Sequence, residues 1–262
     1  MPAPIKHDTD SSLRVSQGRK LGHNLFPILF VTFCLIIFLT PAAFCVYVGL
    51  DTLATFWVSQ RCLLAIVLLP LFGMVFVFHL CLGGPSRVLI VGSLMGACVL
   101  LILLGDITLQ EAIVVSEELL DEECDPFPIK AALQTQWDNA ESFYTTCVDD
   151  LSTDADITFL EGLETFRMQD CEGYVGYDDA LRANPDWQYL ELLESKLMCK
   201  GWCDDGMQIW SSEYAVGTCT KALGHYMAYN TQWTLLQVTV FAALSFALLA
   251  AMLLFLAPSM WG

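Results

Sequence analysis

Four apolar runs divide the chain and constrain its fold more than any motif does. Leu25–Leu50 is 26 residues without a charge, and Cys62–Leu82 is 21 residues interrupted only by Pro70, Gly73 and His79. Val88–Gly105 adds 18 residues, and Trp233–Ala257 is again uncharged. A helix needs about 20 apolar residues to cross the hydrocarbon core of a bilayer, with a floor near 17. Each run is therefore expected to span. The first is too long for the roughly 7–15-residue apolar core of a cleaved signal peptide.

The acidic charge lies between the third and fourth runs. Asp106–Gln232 carries 26 of the 29 acidic residues, six of the 12 Lys and Arg, and six of the 11 cysteines. Its net charge of −20, against −17 for the whole chain, leaves +3 for the rest. Such a segment repels a phosphate backbone, so nucleic acid is excluded as a partner. Its six cysteines, Cys124, Cys147, Cys171, Cys199, Cys203 and Cys219, suit a disulfide framework in an oxidising compartment. Their pairing is left open by the spacing.

Taken in order, residues 1–24 read as a polar cytoplasmic tail and 25–50 as the first span. In that span Pro41 should kink the helix or mark its outer end. Residues 51–61 form a small outer loop, with Phe56 and Trp57 at the depth where aromatic side chains favour the membrane interface. The second span is 62–82, the inner turn 83–87 and the third span 88–105. Gly92 and Gly96 make a small face in the third span, expected to serve packing within the bundle.

The acidic domain covers 106–232, the fourth span 233–257 and a cytoplasmic end 258–262. The third helix is expected to continue as an amphipathic stalk to Asp125-Pro126-Phe127-Pro128. Within the domain, the spacing of Phe159, Leu160, Leu163 and Phe166 predicts a helix over 158–169. Asn184-Pro185 predicts a helix start, with Asn as N-cap and Pro in the first turn, and Lys200-Gly201 its close. A last stalk helix runs from Cys219 into the fourth span.

Lys and Arg are retained on the cytoplasmic side. The tail holds Lys6, Arg14, Arg19 and Lys20 and the inner turn holds Arg87, so both termini are expected in the cytoplasm. The acidic domain then lies outside the cell or in a lumen. The fold class is thus an all-α membrane protein of four transmembrane helices, with a mainly helical, disulfide-stapled outer loop between spans three and four.

This plan resembles that of the tetraspanins. The closest local likeness is Gly217-Thr218-Cys219-Thr220-Lys221, followed by Tyr226 and Asn230 ahead of the fourth span. The family's Cys-Cys-Gly mark is absent, and Cys199-Lys200-Gly201-Trp202-Cys203 stands near its place. Three cysteines precede this pair and only Cys219 follows, an unusual distribution for the family. The resemblance implies a disulfide from Cys199 or Cys203 to Cys219 and palmitoylation of Cys81 at the cytoplasmic edge. It also implies lateral assembly of partner proteins into membrane microdomains, in the plasma membrane or an endomembrane. A bound lipid or sterol and homo-oligomers are compatible with it.

No residue pattern suggests catalysis. Cys199 and Cys203 are separated by three residues, one more than a thioredoxin-type pair, and zinc would lack two further ligands. The acidic clusters lack calcium-loop spacing and read as a solvated surface. His79 lies close enough to the inner end of its span to reach water, and Gln237 is expected to bond across helices. Cys34, Cys45, Cys62 and Cys98 read as packing residues.

The expected function is a noncatalytic, cofactor-free membrane organiser. Its partners are other membrane proteins and the bilayer, with Phe127, Trp187, Trp202, Trp210 and Tyr214 as candidate contacts; for at least half of these, a place in the domain core is the preferred reading. The alternatives are an obligate subunit of a larger membrane complex and, against the absence of Cys-x-x-Cys, a membrane thiol-disulfide enzyme.

Overall fold

The computed structural model describes residues 32–33, 36–67, 71, 74–75, 78, 87–174 and 176–260. The tail at 1–24, Cys34, Pro70, His79, Cys81 and the turn at 83–86 lie outside them. Among the described residues every regular element is helical and no strand occurs. The helices are α1 (Ile36–Leu50), α2 (Thr52–Thr55), α3 (Arg87–Leu120), α4 (Pro128–Asp154) and α5 (Phe159–Thr165). They continue with α6 (Tyr177–Ala183), α7 (Trp187–Leu197), α8 (Cys219–Tyr226) and α9 (Gln232–Met260). Two helical stretches, Val91–Leu120 and Cys219–Ala251, are long and apolar enough to cross a membrane, and α1 is a shorter apolar helix.

The chain forms two compact units. The first comprises Met1–Cys45, Leu64–Leu103 and Gln237–Gly262. Its described core includes Phe38, Ala42, Leu94, Cys98, Leu101, Ala242 and Leu249, all buried. Its outward side chains are just as apolar: Leu39, Ile66, Leu100, Leu103, Leu244 and Leu248 are exposed. Pro41 lies inside α1 and does not mark its end. A proline there has no N–H to give the carbonyl four residues back, that of Ile37. The buried Ser245 hydroxyl on α9 reaches this carbonyl at 3.1 Å and also the Phe241 carbonyl at 2.7 Å. The small face of α3 differs from expectation. Gly92 and Gly96 are exposed, with no described atom within 4 Å of where a Cβ would stand, because Val91, Leu94, Ala97 and Leu101 are the residues turned inward.

The second unit comprises Val46–Leu63 and Leu104–Leu236. Here the outer part of α3 lies against α8. An added Cβ at Gly224 would stand 2.8 Å from Leu120 Cγ, so glycine permits this close approach. Further down, Gln232 donates to the Ser116 hydroxyl at 2.6 Å. That bond does what was expected of Gln237, which makes no hydrogen bond among the described residues. Between α8 and α9, Met227–Thr231 forms one π turn, and the helix continues to Met260, past the expected end at 257.

α3 stops at Leu120, short of Asp125-Pro126, and a lysine gathers the carbonyls around its end. Lys130, buried near the start of α4, donates its ammonium to the carbonyls of Glu118, Asp121 and Glu123 at 3.2, 2.5 and 3.0 Å. Burial lowers its pKa, and the charges of Asp121 and Glu118 oppose that shift. α4 begins with Pro128 at its first turn and buries Lys130, Leu133, Trp137, Ala140, Tyr144 and Cys147. That three-and-four spacing is a helical pattern in the sequence itself. Trp202 donates to the Lys130 carbonyl at 2.8 Å, and Trp187 to the Gln136 carbonyl at 3.1 Å.

Three further expectations are corrected. α5 starts at the Thr158–Glu161 capping box, but Leu160 is exposed and Gly162 is the residue turned inward, so the predicted apolar face does not form. Asn184 closes α6 and Asp186 precedes α7, because the Asn184 amide bonds back to Ala180. α7 ends at Leu197, with Met198 in the left-handed conformation at φ 52°, ahead of Lys200-Gly201.

Candidate interaction surface

Phe56 and Trp57 in the short loop pack against the acidic domain. Phe56 stacks on Tyr189 with ring centroids 4.1 Å apart, and the Trp57 indole N–H donates to the Tyr189 hydroxyl at 2.8 Å. That hydroxyl donates to the Leu53 carbonyl at 3.1 Å. Arg61 and Ser59 both bond to Glu111, each at 2.6 Å. Tyr226 donates to Asp51 at 2.7 Å. The small loop is thereby fastened to α3, α7 and α8, and Tyr189, unmarked in the sequence reading, is central to it.

Above this base the segment 198–219 is held at several points. Disulfides join Cys199 to Cys219 and Cys203 to Cys124, with Cα separations of 4.9 and 6.2 Å, while Cys147–Cys171 ties α4 to the following segment at 6.1 Å. All six cysteines of the domain are thus bonded. Cys199 and Cys203 pair with different partners, so they do not form a dithiol couple. Gly201 lies between them at φ +68°, and a Cβ there would meet the Asp204 carbonyl oxygen at 2.0 Å. Only glycine fits this turn.

The middle of the segment hangs on Glu194. Its carboxylate is fully buried and accepts from the backbone N–H of Ile209 at 3.1 Å, Trp210 at 2.9 Å and Ser211 at 2.6 Å. Burial raises its pKa, and the three N–H donors and Arg167 pull the other way. Trp210 then packs edge-on against Trp137, with centroids 5.4 Å apart.

What remains outside is a small apolar rim. The Val216 N–H donates to the Met198 carbonyl at 2.9 Å and the Lys200 N–H to the Gly217 carbonyl at 3.0 Å, which sets 198 opposite 216. Ala215 is buried while Tyr214 and Val216 are 86% and 70% exposed, so the latter two share the outer face. Met198 beside them is 52% exposed. The frame beneath holds the backbone that carries these side chains, which lowers the conformational entropy the segment would lose on binding.

Of the candidate contact residues, Tyr214 alone is well exposed. Trp187, Trp202 and Trp210 are buried core residues, and Phe127 is half-buried with the Lys130 ammonium 5.7 Å from its ring centroid. Their indoles were needed to fill the space between α4, α7 and the segment after Cys199. Met198 and Val216 were missed; their one sequence signal is an apolar side chain beside the ends of a cysteine-bounded segment. No group of three or more His, Cys, Asp or Glu that could hold a metal occurs among the described residues. Cys45, Cys62 and Cys98 are buried, and the Cys62 thiol donates to the Thr108 hydroxyl at 3.7 Å. No family model, curated protein or solved structure matches the chain.

Proposed function

We propose that this chain is a four-span, tetraspanin-like membrane organiser that binds other membrane proteins laterally through Met198, Tyr214 and Val216. The observation that carries the reading is the exposure of these three apolar side chains on a segment fixed by two disulfides and by Glu194. A rigid aromatic residue with aliphatic neighbours is the kind of surface that supplies most of the energy of an interface. The segment around this rim is strongly acidic, with 26 of the 29 acidic residues of the chain.

The membrane part rests on the apolar outward faces of the first unit, which would otherwise meet water, and on the two helical stretches of spanning length. The basic tail and Arg87 favour cytoplasmic termini, and three disulfides favour an extracellular or luminal domain. Cys81 would be palmitoylated at the inner edge.

The test is quantitative co-isolation from membranes in mild detergent, comparing the wild type with a Tyr214→Ala, Val216→Ser double variant. Loss of a set of associated membrane proteins, with the three disulfides intact, is the expected result. An unchanged set would remove the rim from the account. One partner at fixed stoichiometry would assign the chain to the obligate-subunit class instead.

A further inference from the structure

The second unit contains a pocket of about 310 Å³ where α1 ends and the small loop begins. Tyr47 and Leu50 come from the last turn of α1 and Asp51 follows directly, while Lys196 and Leu197 come from the end of α7 and Tyr226 from α8. The wall therefore carries one carboxylate, one ammonium, two phenol rings and an apolar lip. Tyr47 and Leu50 are 55% and 65% exposed.

Lys196 differs from the other basic residues of its domain. Arg182, Lys200 and Lys221 form ion pairs with Asp179, Asp205 and Glu122, and Lys130 and Arg167 donate to backbone carbonyls. Lys196 has no hydrogen-bond or ion-pair partner among the described residues, although 26 acidic residues share the segment with it. Asp51 sits in the same pocket without closing on it. Its two oxygens accept from the Leu53 N–H at 3.1 Å and the Tyr226 hydroxyl at 2.7 Å, both neutral donors, and no cation pairs with it among the described residues. A pocket with separated, unneutralised charges of both signs suits a ligand that carries both signs itself.

We infer that this pocket binds the headgroup of a zwitterionic glycerophospholipid. The phosphate would lie against Lys196 and the ammonium against Asp51, with the tyrosine rings contributing cation–π attraction. Leu50 and the exposed edge of Tyr47 then offer the start of an apolar path for the acyl chains. This inference rests on the proposed membrane reading, in which the Leu50–Asp51 step is the outer boundary of the first span. Aromatic residues at such a boundary favour the headgroup layer in general; the paired charges add a preference for one headgroup class.

The full-length protein would be placed in nanodiscs with equal amounts of phosphatidylcholine, anionic phosphatidylglycerol and a cationic lipid that lacks phosphate, and the lipids retained after extraction would be counted by native mass spectrometry. Enrichment of phosphatidylcholine over both competitors is expected. Lys196→Ala should reduce that enrichment by about threefold to fivefold, the worth of one exposed ion pair. Tyr47→Ala should lower it while leaving the phosphate requirement. Displacement by soluble glycerophosphocholine at concentrations that leave the nanodisc intact would assign the site to a free ligand and overturn the lipid source. Insertion with no lipid preference, or a preference unchanged in Lys196→Ala, overturns the headgroup site alone. Failure to enter the nanodisc overturns the membrane reading and this inference together.

Discussion

Ser245 on the last helix donates its hydroxyl to the carbonyl of Ile37 on the first, at 3.1 Å, and that carbonyl is the one Pro41 leaves without a helical N–H. The hydroxyl has one proton and shares it between this carbonyl and that of Phe241 in its own helix, at 2.7 Å. In an apolar surrounding the unsatisfied alternative is costly. Ser245→Ala is expected to lower the stability of the detergent-solubilised protein by about 1 kcal/mol, and Pro41→Ala, which restores the local bond, should recover much of that loss. Thermal unfolding of the two single variants and the double variant measures the coupling.

Tyr189 fastens the small loop to the large domain, and burial pushes its hydroxyl pKa well up, so it remains a proton donor at any ordinary pH. Tyr189→Phe retains the ring stack on Phe56 but leaves the Trp57 N–H and the Leu53 carbonyl unpaired. A cost of about 1–3 kcal/mol is expected. A shift in the denaturant midpoint checks it.

The two kinds of aromatic residue in the domain separate under mutation. Trp202→Ala should cost about 3–5 kcal/mol, since the indole is fully buried and holds the Lys130 carbonyl. Tyr214→Ala should stay within about 0.5 kcal/mol of wild type, as an exposed side chain with no hydrogen-bond or ring partner among the described residues. Equal losses in the two variants would contradict the division into frame and rim.

Gly201→Ala places a methyl group against the Asp204 carbonyl in a left-handed backbone. It is expected to cost more than about 3 kcal/mol and to leave Cys199 and Cys203 partly unpaired or mispaired. Thiol alkylation followed by peptide mapping reads this directly.

Glu194 gives a pH dependence of defined sign. Its folded pKa is raised, so the folded state holds the proton more firmly than the unfolded chain does. The stability this contributes is fully present below the ordinary glutamate range and is lost as pH rises through the folded value. The stability of the wild type relative to Glu194→Gln should therefore fall as pH rises from the acid range toward neutrality. Chemical denaturation at a series of pH values measures it, and a difference that grows with pH would mean that the three N–H donors outweigh burial.

How much of this was readable in the sequence depended on the range of the interaction. The helical class, the presence of two helical stretches long and apolar enough to cross a membrane and the continuation of the last stalk follow from local apolar runs. α4 was equally readable, since Leu133, Trp137, Ala140, Tyr144 and Cys147 repeat at helical spacing, but polar residues between them concealed it. The site was not readable in the same way. Trp57 and Tyr189 are 132 residues apart, and nothing local joins them. Trp210 and Tyr214 are alike in chemistry and close in sequence, yet one is buried and the other exposed because Glu194 draws the backbone of 209–211 inward. The separate destinations of Cys199 and Cys203 likewise depend on where α4 and α8 bring their partners.

The proposed topology requires the acidic domain to lie in an oxidising compartment, outside the cytoplasm. Nonreducing peptide mapping of protein alkylated in its native membranes tests this most directly. The expected result is three linked peptide pairs, Cys124–Cys203, Cys147–Cys171 and Cys199–Cys219. Free thiols at those six positions would place the domain in a reducing compartment and contradict the topology on which the proposed function depends.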